Sequence, residues 1–123
     1  MIAAASPRMN ATGLLGLLAG AVERIATTCG DHRTALPEMT VHRRNRASQP
    51  VHCIYTLGIA LTVQENKHVL LGDKDLSYGP GQSLLTTVDL PVSYHITRAT
   101  ATESYLGIML KFDRNLITQA RPK

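Results

Sequence analysis

The strongest constraint on this chain is a change of period at residue 39. From Met39 to Phe112 apolar residues recur at alternate positions in short runs, with Gly, Pro, Asn and Asp clustered between them. Alternating side chains face opposite sides of a strand, so each run presents one apolar face. The candidate strands are Met39–Arg43, Val51–Thr56, Leu57–Gln64, Lys67–Leu71, Leu76–Tyr78, Gln82–Val88, Val92–Arg98 and Ser104–Phe112. Glu65-Asn66 reads as the tight turn of a hairpin joining Leu57–Gln64 to Lys67–Leu71. Gly72-Asp73-Lys74 and Tyr78-Gly79-Pro80-Gly81 read as further turns, and Asp89-Leu90-Pro91 as a break. Many short strands at this spacing predict a barrel or sandwich rather than an alternating α/β fold.

The segment before residue 39 has a different period. Leu14, Leu17, Leu18, Ala21 and Ile25 fall on one face of a helix, with Gly13, Gly16, Gly20, Glu23, Arg24 and Thr27 opposite. The apolar run resembles the core of a secretory signal, but the helical period continues past it to Ile25, and the run is too short to span a bilayer. Three glycines weaken such a helix by roughly 1 kcal/mol each relative to alanine, so it depends on packing. At the other end, Asp113 is placed to cap a second helix containing Leu116 and Ile117.

Charge and cysteine content exclude several classes. The net charge of +4 is modest, and its excess lies mainly in Arg43-Arg44-Asn45-Arg46 and at Arg121 and Lys123. No aromatic residues interleave with those arginines, so a stacking platform for single strands is not supported, and the cluster reads as a solvated loop or strand edge. Two cysteines, Cys29 and Cys53, cannot form a disulfide framework, which points to a reduced, cytoplasmic setting. The apolar fraction of 44% excludes a wholly disordered chain.

No catalytic or metal motif appears. The five histidines, His32, His42, His52, His68 and His95, form no pair at metal-ligand spacing. Gly79-Pro80-Gly81 lacks the lysine and hydroxyl residue of a phosphate loop and reads as a turn that needs a positive φ. No metal or other cofactor is expected. Polar and soft side chains within the β body are the candidates to line an interior ligand site: Cys53, Tyr55, His68, Tyr94, His95, Tyr105 and Met109.

Several ordered blocks between Pro50 and Ile117 resemble one family. They are Pro-Val-His-Cys-Ile-Tyr at 50–55, Leu-Thr-Val-Gln at 61–64, Lys-His-Val-Leu-Leu-Gly-Asp at 67–73, Tyr-Gly-Pro-Gly-Gln at 78–82, Val-Asp-Leu-Pro-Val at 88–92, Tyr-Leu-Gly at 105–107 and Leu-Lys-Phe-Asp at 110–113. Together they resemble the N-terminal domain of AraC-type bacterial transcriptional regulators. The resemblance implies a mainly β, cupin-like jelly-roll barrel over 39–112. It also implies helical flanks at 1–38 and 113–123, a regulatory role in effector sensing or dimerisation, and a homodimer. DNA contact would belong to a separate helix-turn-helix domain outside these residues, so the chain itself is expected to bind DNA weakly and without sequence preference. The helix stripe of Leu14, Leu17, Leu18, Ala21 and Ile25 is the expected dimerisation surface. The alternatives are a small cupin-like enzyme, disfavoured because metal-ligand histidines are lacking, and an interaction module without a ligand.

Overall fold

The computed structural model describes residues 3–5 and 12–112. Its elements run β1 (Ala3–Ala5), α1 (Thr12–Ile25), β2 (Gly30–Arg33), β3 (Met39–Arg44), β4 (Val51–Tyr55), β5 (Gly58–Gln64), β6 (Asn66–Leu71), β7 (Lys74–Tyr78), β8 (Ser83–Thr86), β9 (Leu90–Arg98) and β10 (Tyr105–Lys111). The strands form two antiparallel sheets, one of six strands in the order β1-β8-β5-β10-β3-β2 and one of four in the order β4-β9-β6-β7. They face each other as a jelly-roll-like β-sandwich, with Tyr55, Val69, Tyr78 and Val92 of the smaller sheet packed against Leu84 and Met109 of the larger. The helix expected from Asp113 lies outside the described residues.

The large sheet is apolar on both faces, and the alternation along β10 shows how. Leu106 and Ile108 join Val41, Leu61 and Val63 beneath α1, where Leu18, Ala19, Val22 and Ala26 cover them. Tyr105, Gly107 and Met109 point the other way, into the sandwich. Burial of the helix face against the sheet offsets the weak propensity of a glycine-rich helix. The Arg43 guanidinium donates to the Ala26 carbonyl at 3.0 Å, which satisfies a free acceptor at the helix end and places a cation where the dipole favours it. Arg43 also reaches Asn45 and Ser104, so this part of the arginine cluster is built into the fold rather than solvated.

Two sequence expectations are corrected. β5 and β6 do not form a hairpin: β5 pairs with β8 and β10, whereas β6 pairs with β7 and β9. Glu65, at φ 63°, turns the chain from one sheet to the other, and the real hairpin is β6–β7 through Gly72-Asp73. The break expected at Asp89-Leu90-Pro91 falls at residues 87–89, between β8 and β9, and Pro91 lies within β9, opposite Ile54. The β9 ladder with β6 reaches only to Ser93, so on that side Pro91 removes no ladder hydrogen bond. Gly81 takes φ 83° in the expected turn after β7, a conformation that costs glycine little.

Candidate functional site

Between the sheets lies a cavity of about 180 Å³. Its walls include Cys53 and Tyr55 of β4, Lys67 of β6, Tyr94 and Ile96 of β9, Ala60 of β5, and Tyr105, Gly107 and Met109 of β10. Asp31 of β2 and Ile54 of β4 are its exposed lining residues and mark where it opens. Two bulges sit at its level. Leu106 pairs with Gln64 but Gly107 with Thr62, and Asn66 pairs with Arg98 but Lys67 with Ile96. Each bulge resets the alternation next to a cavity residue, which is how sheets re-aim side chains at a site.

At the mouth, Asp31 ties two β3 side chains together. His42 Nδ1 donates to Asp31 Oδ1 at 2.7 Å, and Arg44 Nη2 donates to the same oxygen at 2.8 Å. Burial pushes the Asp31 carboxyl up, but hydrogen bonds and charge from His42 and Arg44 outweigh it and hold Asp31 below the ordinary carboxylate range. Burial pushes His42 down, against Asp31, which pulls it up. The neutral ring satisfies its surroundings, because Nδ1–H donates to Asp31 and Nε2 accepts from the Thr40 hydroxyl at 3.0 Å. Arg44 stays charged: burial lowers it, and Asp31 and Tyr94 together raise it by more. Its charge is therefore partnered.

Deeper in, Lys67 is not so partnered. The residue is only 9% exposed, and its ammonium lies 4.4 Å from the Tyr94 ring centroid and 5.3 Å from that of Tyr55. Among the described residues no carboxylate forms an ion pair with it. Burial lowers its pKa to about 8, with the Arg44 charge acting in the same direction and Cys53 and Asp31 acting against it. Burial likewise pushes Cys53 and Tyr55 up, and Tyr105 up to about 12, so these groups are neutral at pH 7. Tyr105 bonds Thr62 at 3.2 Å, whereas the Tyr55 hydroxyl makes no well-formed hydrogen bond among the described residues. Among the described residues the chamber thus combines aromatic and aliphatic walls with one cation that forms no ion pair.

Of the residues singled out from the sequence, the structure brings Cys53, Tyr55, Tyr94, Tyr105 and Met109 to this cavity. It does not bring His68 or His95 there. They stack on each other on the opposite face of the smaller sheet, centroids 5.0 Å apart, and His68 bonds Asp75. The reason is parity: Lys67, Val69 and Leu71 share the inner face of β6, which sends His68 outward. Sequence reasoning missed Lys67, Arg44, His42 and Asp31. For Lys67 the signal was its spacing from Val69 and Leu71. Among the described residues no group of three or more His, Cys, Asp or Glu side chains is placed to hold a metal ion.

The helix stripe is divided. Leu18 packs into the core and Ala21 is half-buried, whereas Leu14, Leu17 and Ile25 are 58%, 75% and 43% exposed. No helix among the described residues is long and apolar enough to cross a membrane.

A family model described as the AraC-type transcriptional regulator N-terminus matches residues 35–122, well over half of the chain. The matched span contains β3 to β10 and every cavity residue named above except Asp31. Comparison with curated proteins gave no match.

Proposed function

Given that the chain belongs to the AraC-type transcriptional regulator N-terminus family, we propose that it is an effector-sensing and dimerising regulatory domain rather than an enzyme. In this reading it works in the cytoplasm and controls a separate DNA-binding domain. The observation that carries the sensing role is the chamber between the sheets, walled by Tyr55, Tyr94, Tyr105 and Met109 and open at Asp31 and Ile54. A small space between sheets, with aromatic and aliphatic walls and placed polar side chains, suits a small molecule. The exposed Leu14, Leu17 and Ile25 of α1 support the dimerising role, since they lie on the helix whose other side packs on the cavity-bearing sheet. A cupin-like description of the sandwich belongs to the same reading.

The test is thermal unfolding of the chain against a panel of small metabolites, with Ala60→Leu as the cavity-filling comparison. A compound that binds only the folded state raises the midpoint. Sensing predicts that at least one compound does so for the wild-type chain and not for Ala60→Leu. Equal shifts in both proteins, or none in either, would leave the domain as an interaction module without a ligand.

A further inference from the structure

We propose that the chamber takes a small organic acid with an apolar body, its carboxylate held by Lys67. The proposal rests on the sensing reading above and adds the chemical class of the ligand. Four observations carry it.

First, the Lys67 ammonium is buried in the wall of a cavity, forms no ion pair among the described residues, and feels the Asp31 charge only from beyond ion-pair distance. A buried charge without a contacting counter-charge is costly, and an entering anion offsets that cost. Second, the other cation is already engaged, because Arg44 shares the Asp31 carboxylate with His42. Lys67 is therefore the anion's direct partner, with Arg44 adding only attraction from the mouth. Third, the tyrosine rings of Tyr55 and Tyr94 fix the ammonium from the side, so it meets a ligand already oriented. Fourth, Ala60, Ile96 and Met109 give the walls an apolar stretch that suits a hydrocarbon body.

Size and charge narrow the class. A cavity of roughly 150 Å³ holds a benzene ring, so about 180 Å³ admits a single ring or a short branched chain with its acid group. A phosphate ester carries nearly two charges and more acceptors than one ammonium can satisfy. A monocarboxylate matches the one chamber cation that forms no ion pair among the described residues.

The probes are benzoate and 3-methylbutanoate, their amides as neutral isosteres, and inorganic phosphate, each titrated into the isotopically labelled chain and followed by amide NMR. At least one acid is expected to bind more than tenfold tighter than its amide, with shifts centred on Lys67, Tyr94 and Met109. Lys67→Met should weaken that acid at least tenfold while Lys67→Arg retains most of its affinity, and His68→Ala should leave it unchanged. Equal affinity for acid and amide would overturn the carboxylate assignment but leave a ligand chamber standing, and so would preferential binding of phosphate. Binding by neither acids nor amides, together with no response of any metabolite in the unfolding panel, would overturn both readings.

Discussion

Tyr105 lies over Gly107, its neighbour two residues along the same face of β10, and fills the space that a side chain there would need. A Cβ on residue 107 would meet the Tyr105 hydroxyl at 2.6 Å and its ring carbons at 3.1 Å. Glycine at this position is thus what allows a buried tyrosine to lie along the strand and bond Thr62. Gly107→Ala should displace the ring, strain the Thr62 bond and cost about 1–3 kcal/mol, as overpacking of a core does. Urea unfolding measures it; a variant as stable as the wild type would mean that the ring moves freely.

Lys67 gives a prediction with a pH signature. Its pKa in the folded chain is about 8 against an ordinary 10.5, so the unfolded chain binds more protons between those values. Stability therefore rises with pH through that window, and below it the full penalty, about 3 kcal/mol before the offsetting ring contacts, is present. The groups facing the ammonium are Cys53 and Tyr55 from β4, Tyr94 from β9, Tyr105 from β10, His42 and Arg44 from β3 and Asp31 from β2. Lys67→Met should be more stable than the wild type at pH 7, by about 1–3 kcal/mol. The gap should shrink as the pH rises from about 8 towards 10.5. A gap independent of pH would show that the ammonium is not desolvated.

The cluster at the mouth acts in acid. Both Asp31 and His42 are held below their ordinary values in the fold. Stability linked to His42 is present above the unfolded imidazole value of about 6.5 and falls as the pH drops towards the folded pKa. That linked to Asp31 is present above about 3.9 and is lost as the pH falls through its lowered pKa. Asp31→Asn should flatten the lower limb. It should also send the His42 pKa lower still, because the opposing pull on a buried imidazole is gone. Imidazole NMR titration of both proteins checks the direction; a rise in the variant would reverse the assignment.

Leu17, at 75% exposure on α1, tests association. Leu17→Glu should shift the chain towards monomer in sedimentation velocity while changing its unfolding free energy by no more than about 0.5 kcal/mol, as expected of a surface site. A wild-type chain that sediments as a monomer at high concentration would overturn the dimerising role proposed for the helix.

The strands after residue 39 were legible because alternation survives burial of one face. The turn residues placed most boundaries within a residue or two. Connectivity was less so. Glu65-Asn66 has the look of a hairpin turn, yet a corner between sheets uses the same tight reversal, and only pairing partners tell them apart. Gly30–Arg33 escaped notice because a short edge strand rich in polar residues carries no apolar period. In the site, tyrosines and a methionine were read as lining from their chemistry, whereas Lys67 and Arg44 look solvent-facing by type. Their faces follow from neighbours such as Val69 and from Asp31, which lies far off in sequence.

β10 is a partition shared by two rooms. Leu106 and Ile108 support the helix from one side, and Tyr105 and Met109 bound the chamber on the other, with only a strand's thickness between. Alternate residues share one backbone, so a ligand of the proposed kind that displaced Met109 would bear on the same strand that carries the footing of α1.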